Sequence, residues 1–83
     1  MTVYLEQDNL ISNSRAELDA FARQIGVLSP VQRPGTAVEH YTLTREEQEL
    51  AMEQGALRIV WVPVPGTRGF TMRTVADVLG ELL

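Results

Sequence analysis

An extended segment meets the start of a helix in Val38-Glu39-His40-Tyr41-Thr42-Leu43-Thr44-Arg45-Glu46-Glu47. Thr44 and Glu47 have the spacing of a capping box, in which each side chain accepts a hydrogen bond from the backbone amide of the other residue. A helix is therefore expected to begin at Arg45. Gly55 is expected to end it, because glycine readily adopts the left-handed conformation that closes a helix. The capping box of Thr44 and Glu47 thus predicts the start of this helix, and Gly55 predicts its end.

A second helix signal precedes this stretch. Ser14-Arg15-Ala16-Glu17 is another capping box, and Gly26 follows where a helix of about three turns would close. Four apolar residues between them recur at helical spacing and form one stripe that would face a core. They are Leu18, Phe21, Ala22 and Ile25.

Three runs are rich in the β-branched and aromatic residues that favour strands, namely residues 2–5, 37–43 and 57–62. The last run ends at Pro63, which cannot donate to a sheet ladder, and it is predicted as the central strand. Leu10-Ile11 is predicted as a lid or as a continuation of the first strand. These runs supply the sheet of the predicted fold.

A final helix is predicted from Met72 to Leu83, because apolar residues recur there at helical spacing. Strands and helices then alternate in the order β-α-β-α-β-α. This order predicts one small α/β domain over residues 1–83, with a three-stranded parallel or mixed sheet and covering helices. An α+β arrangement with an antiparallel first strand is the alternative.

Size and composition restrict the function classes. A chain of 83 residues is near the size at which a single core gives marginal stability, so a protein partner or self-association is expected. Without cysteine and with one histidine, the chain predicts no metal site and no cofactor. The net charge of -4 disfavours nucleic acid as the partner. No signal peptide or membrane-spanning run is recognisable, which predicts a cytoplasmic protein without a membrane partner.

Four segments of the chain carry a family resemblance. They are Thr2-Val3-Tyr4-Leu5-Glu6-Gln7, Glu17-Leu18-Asp19-Ala20-Phe21-Ala22, His40-Tyr41-Thr42-Leu43-Thr44 and Gly55-Ala56. In order, spacing and residue type they resemble an uncharacterised family of short bacterial and phage proteins, domain of unknown function 4031. The resemblance implies a shared fold and, for a phage-encoded chain, a location in the host cytoplasm. It implies no established chemistry.

The chain departs from that family at its polar positions. Glu6-Gln7 replaces a pair of aspartates, Thr42 replaces another aspartate, and Asn9 lies near the place of a second histidine. The family's segment rich in tryptophan and arginine after the first strand is missing. If these polar groups form a site in the family, most of it is altered here.

Two sets of residues are candidates for a functional site. Protein binding is predicted at Trp61, Arg68, Val75, Leu79 and Leu82, because aromatic and arginine side chains dominate interfaces and the last helix is strongly apolar. A protein partner or a second copy of the chain would bind there.

The second set is a polar site at Glu6, Asn9, His40 and Tyr41. His40 has a pKa range suited to acid-base chemistry, but no nucleophile or assured carboxylate partner accompanies it, so no catalytic residue is assigned. The sequence therefore favours a small acidic non-enzymatic domain that binds or regulates a protein, with a host protein as target in a phage. The alternative is a minimal or degenerate enzyme around His40.

Overall fold

The computed structural model describes residues 2–82. The elements in chain order are β1 (Val3–Glu6), β2 (Asn9–Ser12), α1 (Arg15–Ile25), β3 (Tyr41–Thr42), α2 (Arg45–Glu53), β4 (Leu57–Pro63), β5 (Phe70–Thr74) and α3 (Val75–Leu82). Within this range five strands form one mixed sheet in the order β3-β2-β1-β4-β5, in which only β1 and β4 pair in parallel. The predicted small α/β domain is confirmed. The predicted count of three strands is wrong, and β1 rather than β4 is the central strand.

The residues after β1 form a hairpin that the sequence does not predict. Gln7 and Asp8 make a two-residue turn, so that β2 returns antiparallel to β1 with Glu6 opposite Asn9. Gln7 has a φ of 52°, in the left-handed region that such turns require. The turn lacks the glycine that usually marks it, which is why Leu10-Ile11 appears in the sequence as a lid or a strand continuation.

Of the strand predicted over residues 37–43, only β3 joins the sheet. His40 instead forms an isolated antiparallel bridge with Gln32, and their backbone N–O distances are 2.7 and 3.1 Å. The segment from Gln32 to His40, here called the bridged loop, reverses direction through Arg33 and Gly35, whose φ values are 52° and 77°. Within the predicted strand, Ala37 and Val38 form a turn that is closed by the Glu39 amide donating to the Thr36 carbonyl at 3.3 Å, so the chain is not extended there.

A second hairpin joins β4 to β5. The amide of Val64 donates to the carbonyl of Gly69 at 3.0 Å, and the turn between them brings β5 back antiparallel to β4. Met72 therefore lies in a strand, and α3 begins at Val75 rather than at Met72. The apolar spacing that predicts a longer helix is interrupted by this strand pairing, and the predicted helix end at Leu83 lies outside the described residues.

The starts of α1 and α2 are as predicted. Thr44 Oγ1 accepts from the Glu47 amide at 3.2 Å, and Glu47 Oε1 accepts from the Thr44 amide at 2.9 Å. Ser14 Oγ accepts from the Glu17 amide at 3.3 Å, which is one half of its capping box. Gly26 ends α1 with a φ of 81°. Each cap satisfies backbone groups that the helix itself leaves without partners.

The core lies between the sheet and the two capped helices. α1 packs on β1 and β2, and α2 packs on α1 and β1. All four residues of the predicted α1 stripe are buried in this cluster, so that prediction is confirmed. The cluster consists of Val3, Leu5, Leu10, Leu18, Phe21, Ala22, Ile25, Leu43, Ala51 and Ala56.

The C-terminal part of the domain packs separately from that cluster. α3 contacts β4 and β5, and Arg73 of β5 donates from Nη1 to Glu81 Oε2 of α3 at 2.8 Å. This hydrogen bond raises the pKa of Arg73 and lowers the pKa of Glu81. Ile59 of β4 is buried outside the main cluster. None of the helices within residues 2–82 has the length and apolar character needed to cross a membrane.

Candidate functional site

A cavity lies on the face of the sheet opposite to α1 and α2. Side chains alternate between the two faces of a strand, so Tyr4 and Glu6 of β1 line the cavity while their neighbours enter the core. Their partners on β2 are Ile11 and Asn9, which line the cavity beside them. Alternation in one hairpin therefore builds the floor of the cavity.

The β4–β5 hairpin contributes one wall. Trp61 of β4 lies opposite Met72 of β5, and both line the cavity. The indole Nε1 of Trp61 donates to Glu6 Oε2 on β1. This hydrogen bond joins the wall to the floor and places a carboxylate next to an aromatic ring.

The bridged loop contributes the other wall through Arg33, Val38, Glu39 and His40. His40 Nδ1 lies 2.8 Å from the carbonyl oxygen of Val38. A carbonyl oxygen can only accept, so Nδ1 is the donor in this contact. The ring is therefore held by its own loop.

A polar network fastens the bridged loop to α1. Arg15 donates from Nε to Asp19 Oδ1 at 2.9 Å and from Nη1 to Glu39 Oε2 at 3.1 Å. The same Glu39 oxygen accepts from the amide of Gly35 at 3.0 Å. Tyr41 donates its hydroxyl proton to Asp19 Oδ1 at 2.6 Å. α1, the loop and β3 thus share one set of charge-assisted hydrogen bonds.

This network changes the ionisation of its members. The hydrogen bond from Tyr41, followed by that from Arg15, lowers the pKa of Asp19, because both stabilise the carboxylate. The same contact with Asp19 raises the pKa of Tyr41, since the phenol must stay protonated in order to donate. Asp19 also raises the pKa of Arg15. At neutral pH Asp19 is therefore ionised, and the Tyr41 hydroxyl keeps the proton that it donates.

The cavity has a volume of about 500 Å³, within the usual range of ligand pockets. Its lining combines aromatic, apolar and charged side chains. Within residues 2–82, no three histidine or acidic side chains lie close enough together to hold a metal ion. The lining residues are Tyr4, Glu6, Asn9, Ile11, Ser12, Asn13, Arg33, Ala37, Val38, Glu39, His40, Trp61 and Met72.

The structure brings three members of the predicted polar site together. Glu6, Asn9 and His40 all line the cavity, from β1, β2 and the bridged loop. Tyr41 does not line it, because its hydroxyl binds Asp19 of α1 instead. Adjacent strand residues point to opposite faces, which explains why Tyr41 and His40 are separated.

The predicted protein-binding residues are spread over the C-terminal part of the chain. Trp61 is 51% exposed and Leu79 is 54% exposed. Arg68 is exposed in the turn between β4 and β5, whereas Val75 is half-buried at the start of α3. The side chain of Leu82 lies outside the described residues. The predicted residues alone therefore do not define one binding surface.

Two residues that sequence reasoning missed complete an apolar surface. Phe70 is 63% exposed and Met72 is 37% exposed, and both lie on the same side of the hairpin as Trp61. These three residues are here called the hairpin face. Their common side follows from the β4–β5 pairing, which the predicted helix beginning at Met72 does not allow.

Comparisons with protein-family models, curated proteins and solved structures found no significant match. The resemblance to domain of unknown function 4031 therefore stays a prediction. What the chain does must be inferred from the cavity and the hairpin face.

Proposed function

We propose that this chain is a small non-enzymatic domain that binds a segment of another protein on the hairpin face. The observation that carries the proposal is the exposure of Trp61, Phe70 and Met72 on one side of β4 and β5. Large apolar side chains grouped on a surface are a feature of interaction sites, whereas single exposed ones are ordinary. Tryptophan is also among the residues that contribute most to binding energy.

The position of the hairpin suits this role. β5 lies at the edge of the sheet, and within residues 2–82 it pairs with β4 alone. An extended segment of a partner can add main-chain hydrogen bonds to such an edge while its side chains contact the apolar face. The β4–β5 hairpin would then supply both the main-chain hydrogen bonds that give affinity and the side-chain contacts that give specificity.

The test is selection of binding peptides from a random displayed library, followed by affinity measurements on two variants. Phe70→Ser removes the most exposed member of the hairpin face. Full burial of a phenylalanine is worth about 2 to 3 kcal/mol and a partner can cover only the 63% of Phe70 that is exposed, so selected peptides should bind this variant roughly 10- to 20-fold more weakly.

Leu28→Ser is the matched control. Leu28 is 96% exposed and lies in the segment between α1 and β3. The hydroxyl of neighbouring Ser29 donates to the carbonyl of Thr42 in β3, at the opposite edge of the sheet from β5. Peptides should bind this variant and the unchanged chain with equal affinity. Equal binding to Phe70→Ser and Leu28→Ser would refute the hairpin face as the contact surface.

The cavity supports a second candidate, a minimal or degenerate enzyme. Glu6, Asn9 and His40 share its lining, which is the constellation such an enzyme would need. Against this, Glu6 and the His40 Nδ1 proton are engaged in hydrogen bonds within the domain. A catalytic activity lost in His40→Ala, with peptide binding intact, would favour the enzyme.

Self-association, a phage source, a host target and a cytoplasmic location stay predictions. Binding of nucleic acid is not proposed, since the net charge of -4 opposes phosphate contacts.

A further inference from the structure

We infer that the cavity beside the hairpin face receives a basic side chain, arginine or lysine, from the bound partner segment. This inference rests on the proposed function and adds the chemistry of the partner. Trp61 and Met72 belong to both the hairpin face and the cavity lining, so a segment that lies on the face passes the cavity entrance.

Glu6 supplies the negative charge. Its Oε2 accepts from Trp61 Nε1, and its Oε1 accepts no hydrogen bond from any residue within the described range 2–82. A carboxylate with one oxygen fixed and the other free is an oriented acceptor for an N–H donor of a guanidinium or ammonium group. The Trp61 bond holds that acceptor at the cavity floor.

Aromatic rings supply the second element. Tyr4 and Trp61 line the cavity on either side of the β1–β4 pairing, and Trp61 is half-exposed. Cations are attracted to the faces of such rings, and a planar guanidinium also stacks on them. Rings beside a carboxylate therefore favour a cation over a neutral or anionic group.

The other charged side chains discussed in the lining, Glu39 and Arg33, differ in their effect on a bound cation. Glu39 Oε2 already accepts from Arg15, which Glu39 shares with Asp19, and from the Gly35 amide, so that oxygen is occupied within the domain. Arg33 lies in the bridged loop and opposes a second cation. The chain as a whole carries a net charge of -4, which attracts a basic partner over a longer distance.

Trp61 is the only tryptophan, so its fluorescence reports directly on the cavity. The probe is an acetylated and amidated tripeptide of leucine, arginine and leucine. Its matched control replaces arginine with citrulline, which has nearly the same shape and no charge. The arginine tripeptide should change the Trp61 emission and bind about tenfold more tightly than the citrulline tripeptide, as expected for one charge-assisted contact.

Three variants separate the contributions. Glu6→Gln keeps an acceptor for Trp61 and removes the charge, so arginine-tripeptide binding should weaken about tenfold and citrulline-tripeptide binding should weaken much less. Arg33→Gln removes the opposing charge and should tighten arginine-tripeptide binding about two- to threefold. Asn9→Lys places an ammonium group opposite Glu6 and should abolish the preference for arginine. Thermal unfolding of each variant establishes that it is folded.

Several results would overturn the inference. Equal affinity for the arginine and citrulline tripeptides would show that the cavity does not recognise a positive charge. Weaker binding of the arginine tripeptide to Arg33→Gln would show that Arg33 does not oppose the bound cation. If agmatine, a free cation, bound as tightly as the tripeptide, the cavity would be a small-molecule site and not a partner pocket. Each of these results is independent of the Phe70→Ser comparison, so the proposed function can survive when this inference fails.

Discussion

Replacing Tyr41 with phenylalanine removes one hydrogen bond from the network that fastens the bridged loop to α1. The ring of Tyr41 packs against the core cluster and is retained by the substitution. What disappears is the hydroxyl proton donated to Asp19 Oδ1 at 2.6 Å. That distance is typical of a charge-assisted O–H to carboxylate bond.

The size of the effect follows from the charge and exposure of Asp19. Hydrogen bonds to charged groups contribute about 1.5 to 3 kcal/mol when well shielded. The Asp19 side chain is 31% exposed, and Arg15 continues to bind it in the variant, so solvent reduces the loss. We expect Tyr41→Phe to lower the free energy of unfolding by about 1 kcal/mol at pH 7, or the melting temperature by about 4 to 8 °C.

The effect should depend on pH in a defined direction. Because folding lowers the pKa of Asp19, its contribution to stability is fully present above the ordinary aspartate pKa of about 4. It is lost as the pH falls through the lower folded-state pKa. The stability difference between Tyr41→Phe and the unchanged chain should therefore shrink below about pH 4. Urea unfolding between pH 2 and pH 7 measures it.

Tyr4→Phe is the matched control, since the Tyr4 hydroxyl makes no hydrogen bond to any residue between positions 2 and 82. It should change stability little at any pH. Carboxyl NMR titration adds a second readout, in which Tyr41→Phe raises the pKa of Asp19 and Tyr4→Phe does not. An equal loss of stability at pH 2 and pH 7, or an unmoved Asp19 pKa, would refute the role assigned to this hydrogen bond.

Two further substitutions test the fold by urea unfolding. Leu18→Ala empties a fully buried position and should cost about 3 kcal/mol, whereas Leu28→Ala at a 96% exposed position should cost less than about 0.5 kcal/mol. Similar losses in both would contradict the assigned core. Thr44→Ala removes one half of the capping box with Glu47 and should cost about 1 kcal/mol, and an unchanged unfolding midpoint would show that the cap contributes nothing.

The sequence predicts those parts of the fold that depend on neighbouring residues. The caps at Ser14 and Thr44 and the closing Gly26 mark α1 and α2 because a cap and its amide lie within a few positions of each other. β2 is missed as a separate strand because its turn has no glycine, and β5 is missed because helical apolar spacing assigns Met72 to the last helix. Gln7 adopts a left-handed conformation without the glycine that would announce a hairpin.

The candidate site likewise contains residues that the sequence indicates and contacts that only the structure reveals. The sequence predicts Glu6, Asn9 and His40 as members of one polar site, and the structure places all three at one cavity. The hydrogen bond between Trp61 and Glu6 joins residues 55 positions apart, and no sequence spacing indicates it. The hairpin face is equally hidden, since Phe70 shares a side with Trp61 only after β5 has paired with β4.

The core cluster and the β4–β5 hairpin are built from different residues, and this separation is relevant to function. Within the described residues, the core cluster draws on β1, β2, α1, α2 and two flanking positions, and no residue of β4 or β5 belongs to it. The hairpin is held by its pairing with β1, by buried Ile59 and by α3. Its outward side chains are therefore free of a role in core packing, and their exposure is not needed to fold the chain. The hairpin face can therefore change under selection for binding a partner without loss of the core. It also lies beside the cavity that contains the oriented Glu6 carboxylate.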